Sequence, residues 1–231
     1  MTQRRLVVTG ASQGIGAALV EQARAAGHQV TFTGRDEARV AALAAATGAH
    51  GLVADVTSGD DNQRTVETAL ARMGGIDVLV NNAGYAYRAE IGALDVAAMR
   101  TMFETNVFGL VDLTNRVVPH LKAQAFGDIV NIASTSGMKG APGGTAYSGS
   151  KWAVRGITQC WQAELRPFGI RVGCICPSEV QTNFGGRGGR NNPNKLYAGD
   201  IAATILAGVH LPQRVLWTEL AVFATNPWKE D

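Results

Sequence analysis

Leu6-Val7-Val8-Thr9-Gly10-Ala11-Ser12-Gln13-Gly14-Ile15-Gly16 is the stretch on which the reading of this chain turns. A short apolar run enters a glycine turn, and an alanine-rich helical stretch, 17–26, follows. Strand, glycine turn and helix is the context that a dinucleotide site requires. Glycines permit a tight turn and let backbone N–H groups approach a pyrophosphate, and the helix N-terminus adds a dipole favourable to an anion. The spacing here is Gly-x-x-x-Gly-x-Gly. A glycine turn can be purely structural; its place directly after the first strand favours nucleotide binding.

Working outward, apolar runs alternate with helical patterns along the whole chain. Strands are expected at 29–33, 50–54, 77–80, 128–133, 170–176 and 214–223. Further helices are expected at 37–46, 58–73, 95–122, 147–166 and 198–208, with Ser58 as an N-cap of the second and with Pro167 and Gly169 ending the one at 147–166. Apolar strands between helices indicate an α/β, doubly wound parallel sheet of the Rossmann type, about seven strands with helices on both faces. Ligands of such sheets bind at the carboxyl ends of the strands. Gly10 to Gly16, Arg35, Asp55, Asn81 to Gly84, Ser134 and 177–182 all follow strands and are expected to converge on one edge.

Composition bounds the rest. The 231 residues are 46% hydrophobic and 17% charged, which suits a globular protein with a substantial core. No linker or repeat divides them, so one domain over 1–231 is expected, with a substrate loop at about 183–197. Net charge is +2, so nucleic acid is not an expected partner. No run of 18 apolar residues suggests a membrane span, and the apolar run after Arg4-Arg5 is too short for a signal core. The cysteines Cys160, Cys174 and Cys176 form no disulfide framework and no metal set; Cys174 and Cys176 alternate as core packing in a strand would. A reducing cytoplasm fits.

Tyr147 and Lys151, in Tyr147-Ser148-Gly149-Ser150-Lys151, are four apart and share one face of a helix. A free phenol titrates near pH 10, and a cation one turn away favours the phenolate. The pair can therefore move a proton near neutral pH.

Taken together, these residues resemble the short-chain dehydrogenase/reductase family in its compact single-domain form. The likeness rests on Thr9-Gly10-x3-Gly14-Ile15-Gly16, Asp55-Val56, Asn81-Asn82-Ala83-Gly84, Asn106, Ser134, Tyr147-x3-Lys151 and Pro177-x2-Val180-x-Thr182, in order over nearly the whole chain. The resemblance implies that Gly10, Gly14 and Gly16, in a loop with Ser12, Gln13 and Ile15, hold a pyrophosphate. It implies that Asp55 and Val56 meet adenine, that Asn82, beside Ala83 and Gly84, meets the adenine-side ribose, and that Val180 and Thr182, after Pro177, dock the nicotinamide. Tyr147 then exchanges a proton with a carbonyl or alcohol oxygen. Lys151 lowers its pKa and binds the second ribose, Ser134 orients the carbonyl, and Asn106 holds a water. Asn106 could simply pack or bond locally, being set within a helical pattern. Ser134 is chosen over Thr135 and Ser136 for its place thirteen residues before Tyr147.

Two departures stand out. Ser178 and Glu179 follow Pro177 where the family usually has glycine, which alters the expected pocket, and the ending lacks the family's frequent Asp-Gly-Gly. The expected activity is oxidoreduction of a small carbonyl or alcohol with NADP(H). Asp36 lies twenty residues after Gly16, near the interval of a ribose-reading acid. The family places that acid two positions earlier, where Gly34 stands. Asp36 is thus read as a helix start and Arg35 as the partner of a 2′-phosphate, with NAD(H) use left open. A non-catalytic nucleotide sensor and an epimerase are the competing readings. Tyr85, Tyr87, Met138, Glu179 and Phe184 are candidate pocket residues. The segment 187–194, rich in Gly, Asn and Arg, is expected to close over substrate as a lid. A homodimer or homotetramer is expected, with Trp152 and Trp161 as candidate contacts or, equally, core residues.

Overall fold

The computed structural model describes residues 2–182, 184 and 192–226. Seven strands form one parallel sheet. They are β1 (Arg5–Val8), β2 (Gln29–Gly34), β3 (His50–Val53), β4 (Val78–Asn81), β5 (Gly127–Ile132), β6 (Ile170–Pro177) and a last strand, Glu219–Val222. Their order across the sheet is β3-β2-β1-β4-β5-β6 and then that last strand. The order reverses between β1 and β4, the switch point where such sheets open a crevice.

Alternation along each strand divides the core into two layers. Leu6 and Val8 point with Val30, Phe32 and Val80 towards α1 (Gly14–Ala25), α2 (Glu37–Thr47) and a C-terminal helix, Ala198–His210. Val7 points with Leu79, Ile129 and Val172 towards α3 (Gly59–Met73) and the helix over Gly109–Gln124. Caps fix where helices begin: Asp36 accepts from Arg39 N at 3.0 Å and Ser58 accepts from Asp61 N at 3.2 Å. Asp36 therefore starts α2, as its sequence context indicates, and Gly34 is the last residue of β2.

Three features depart from the sequence reading. The helix expected over 95–122 is α4 (Val96–Phe103), a π turn (Glu104–Phe108) and α5 (Gly109–Gln124). The last strand was expected from Arg214, yet pairing with β6 begins at Glu219. Pro212 to Val215 makes a turn, and the Trp217 ring fills a slot that only glycine leaves open, since a Cβ on Gly173 or Gly208 would stand 2.4 or 2.6 Å from it. A small second sheet, β7 (Val180–Gln181) with β8 (Leu196–Tyr197), has no signal in the sequence because each strand is two residues long. In chain order α6 (Thr145–Leu165) precedes β6, α7 is Ala198–His210 and β9 is Glu219–Val222. Trp161 packs into the core, whereas Trp152 is exposed under the Arg155 guanidinium. No described helix is long and apolar enough to cross a membrane.

Candidate active site

One cleft runs along the carboxyl edge of the sheet. Its walls are Gly10 to Ile15 (Ala11 aside), Gly34 to Asp36, Arg39, Ala54 to Val56, Asn82 to Tyr85, Ser134, Tyr147, Lys151, Pro177, Ser178, Val180, Thr182 and Phe184. The expected convergence therefore occurs. Of the expected catalytic and cofactor-binding residues, Gly16 and Asn106 lie behind the wall; of the candidate pocket residues, Tyr85 and Phe184 line the cleft, and Tyr87, Met138 and Glu179 do not.

The glycine end is a cradle of bare backbone. Gly10 has φ +61°, and a Cβ on it would stand 2.6 Å from Ala83 Cα. A Cβ on Gly16 would stand 2.6 Å from Ala11 Cα and 2.7 Å from Asn82 Nδ2. Side chains here would push β4 away from α1. Asn82 spends its amide donors on that same junction, giving to Thr9 O at 2.8 Å and Gly10 O at 3.0 Å. It thus ties the loop to β4, and its carbonyl is the part left to face a ligand. The loop opens onto the N-terminus of α1, with no acidic residue in the first turn. That donor set suits a pyrophosphate.

At the far end of the loop, Arg35 and Arg39 flank the crevice and are largely exposed. Arg35 Nη1 lies 3.6 Å from Asp55 Oδ2. Burial pushes the Asp55 carboxyl up, but hydrogen bonds from Thr57 and the charge of Arg35 outweigh it and hold it below its ordinary value. Asp36 is taken up capping α2 and pairing with Arg39 at 3.2 Å, and Arg39 also donates to Gln13. Arg39 was missed in the sequence. Its signal was there: it stands four residues after Arg35, in the first turn of the helix that Asp36 caps.

The opposite end holds the polar groups. Ser134 stands two residues after β5, and its hydroxyl accepts from Ser136 N at 3.1 Å and lies near enough to Tyr147 to favour its phenolate. Tyr147 is 6% exposed and Lys151 4% exposed. Lys151 Nζ donates to Ile132 O at 2.8 Å and lies 5.9 Å from the Tyr147 ring centroid. Burial pushes the amine down to about 8, with Cys174 and Cys176 pulling the other way. Burial also raises the Tyr147 phenol, against the Ser134 hydrogen bond and the Arg88 charge. The lowered phenol expected from Lys151 is thus not found. Helical spacing brings the two side chains to one face, but the amine is turned to the β5 carbonyl and burial dominates.

Asn106 sits in the π turn and is 1% exposed. Its Oδ1 accepts from Tyr85 N, and its Nδ2 donates to Tyr85 O, each at 3.0 Å, and to Ser150 Oγ at 3.1 Å. It clasps the segment after β4 and leaves one oxygen lone pair near Lys151, since a Cβ on Gly84 would meet Asn106 Oδ1 at 3.0 Å and Lys151 Nζ at 3.6 Å. π turns recur at functional sites. Glu179 is paired with Lys195 at 2.9 Å, so its carboxylate is neutralised. Cys174 and Cys176 lie with their sulfurs 3.9 Å apart near Glu219, but both Glu219 oxygens are held by Arg155 at 2.8 Å.

The sequence profile of the short chain dehydrogenase family matches residues 4–192. The chain belongs to that family. Among its relatives is an uncharacterized oxidoreductase of Staphylococcus saprophyticus, 37% identical over 222 residues, or 94% of this chain and 95% of that one. Two solved family structures superpose closely. A serine dehydrogenase in its closed form, complexed with NADP+, has 28% identity and a TM-score of 0.91, covering 98% of this chain and 97% of that one. An alcohol dehydrogenase of the archaeon Thermococcus sibiricus, complexed with 5-hydroxy-NADP, has 26% identity and a TM-score of 0.89, with both chains fully covered. The short chain dehydrogenase fold accounts for the parallel sheet and its crevice. The lid expected over 187–194 falls mostly outside the described residues. Only 192–194 are described, and Gln181 pins them by bonds to the N and O of Asn192 at 2.6 and 2.7 Å.

Proposed function

We propose that this short chain dehydrogenase interconverts a small carbonyl compound and its secondary alcohol with NADP(H). The observation that carries the reading is one cleft with a bare-backbone anion cradle at one end and a Ser134–Tyr147 hydroxyl pair beside buried Lys151 at the other. The cofactor supplies hydride, which no side chain can. Gly10, Ser12, Gln13, Gly14, Ile15 and Gly16 would hold its pyrophosphate. Asp55, Val56, Asn82, Ala83 and Gly84 would line the adenosine half, and Pro177, Val180 and Thr182 the nicotinamide half.

Ser134 and Tyr147 donate to an oxygen on which negative charge grows, which is worth most where water is excluded. Tyr147 gives up or takes the proton. Lys151, held at Ile132 O, keeps a cation beneath the site and has donors left for a ribose. Asn106, whose Oδ1 flanks Gly84 on the side where Lys151 Nζ also lies, would hold a water there.

NADP(H) is favoured over NAD(H) because Arg35 and Arg39 flank the cleft while the nearest candidate acid, Asp36, is spent on Arg39 and the α2 cap. The NADP-complexed neighbours point the same way. The free cysteines suit a reducing cytoplasm, and exposed Phe108 and Trp152 support self-association. The testing experiment is a carbonyl and alcohol panel run with both nicotinamide cofactors. Faster turnover with NADP(H) is expected; turnover with NAD(H) alone would overturn the cofactor choice, and product without net cofactor consumption would favour an epimerase.

A further inference from the structure

The segment after β4 carries Arg88, an arginine with no acidic partner among the described residues. Asn106 bonds both backbone groups of Tyr85, Tyr87 N donates to Met102 Sδ at 3.3 Å, and Ala89 N donates to Gly143 O at 3.1 Å. Arg88 is therefore carried on backbone fixed before and after it. Its guanidinium carbon stands 5.2 Å from the Tyr147 ring centroid. Among the described residues it makes no hydrogen bond and no ion pair. A phenol is short, so this free charge lies within the length of a small metabolite from the Tyr147 hydroxyl.

We propose that Arg88 is the anion-binding residue of the substrate site, and that the substrate bears a carboxylate a few bonds from the carbon held at Ser134 and Tyr147. This rests on the carbonyl–alcohol reading above and narrows its substrate class to hydroxy and oxo acids. A planar guanidinium with five donors matches a carboxylate with two parallel hydrogen bonds. The cations that stand over the Tyr147 ring are Arg88 and Lys151, and Lys151 is bonded to Ile132 O. One free fork suits a singly charged carboxylate better than a phosphate dianion. Glu179, the carboxylate two residues after Pro177, is neutralised by Lys195 and offers less repulsion to an anion. A charged site also discriminates: a neutral analogue leaves the arginine unpaired.

The test compares 2-, 3- and 4-hydroxy acids with their methyl esters in wild type, R88A and R88K, with NADP+. Wild type should prefer an acid over its ester in kcat/KM. In R88A that preference should fall by about 10- to 100-fold, the span for hydrogen bonds to a charged group, mainly through KM, with partial recovery in R88K. Wild type that turned over esters at least as well as acids throughout, or equal losses on both in R88A, would overturn the inference. If neither acids nor neutral alcohols reacted with either cofactor, the proposed function itself would fail. Calorimetric binding of butanoate and butanamide to NADPH-saturated protein then decides: butanoate binding weakened in R88A supports Arg88, and butanoate binding that is absent or unchanged overturns it.

Discussion

Lys151→Met should stabilise the cofactor-free protein at neutral pH while ruining its chemistry. Lys151 is 4% exposed and its amine has one acceptor, Ile132 O. Burial lowers its pKa from 10.5 to about 8. At 1.36 kcal/mol per unit, holding the charged form in the fold costs about 3 kcal/mol at pH 7. Methionine keeps most of the side-chain volume and loses one hydrogen bond, worth about 1 kcal/mol. The variant should therefore gain about 2 kcal/mol at pH 7. The folded amine holds its proton less tightly than the unfolded one, so between pH 8 and 10.5 the unfolded chain carries the extra proton. Raising pH through that window stabilises wild type, and above it wild type should lead by about 1 kcal/mol. Urea unfolding followed by tryptophan fluorescence, at fixed protein concentration and at pH 7 and 10.5, measures this. A variant less stable at pH 7, or a difference that did not move with pH, would refute the reasoning.

Arg35→Ala should weaken NADP+ binding by about 1.5–3 kcal/mol and leave NAD+ binding little changed; loss of both cofactors equally, by calorimetry, would argue that Arg35 holds Asp55 rather than a phosphate. Asp128→Asn breaks the buried pair with Arg171, whose nitrogens lie 2.5 and 3.0 Å from the carboxylate. It should cost about 3–5 kcal/mol in urea unfolding, because a buried guanidinium is left with carbonyls alone, and a cost below 1 kcal/mol would show that water replaces the carboxylate.

The sheet was legible because each strand is a continuous apolar run and each crossover a recognisable helix. The glycine loop was legible because φ and close approach at Gly10 and Gly16 admit no other residue. What escaped was set by distant contacts. Nothing around Arg88 in the chain marks it as other than a solvated charge; its position follows from Asn106, Met102 and Gly143. The turned amine of Lys151 depends on a carbonyl nineteen residues earlier, and the late start of β9 depends on Trp217 entering a slot between Gly173 and Gly208. The donors of Asn82 face inward for the same kind of reason, a partner seventy-three positions away. Asp36 was read correctly because capping is local.

Hydride transfer at Tyr147 is tested most directly with a carbonyl substrate from the panel and NADPH deuterated at the transferring carbon-4 position. Wild type should place one deuterium on the carbinol carbon for each NADPH oxidised. Tyr147→Phe should still bind NADPH yet turn over at least about 100-fold more slowly, the scale of a lost general acid. Product formed without label and without NADPH loss, or near-normal turnover by Tyr147→Phe, would contradict the account.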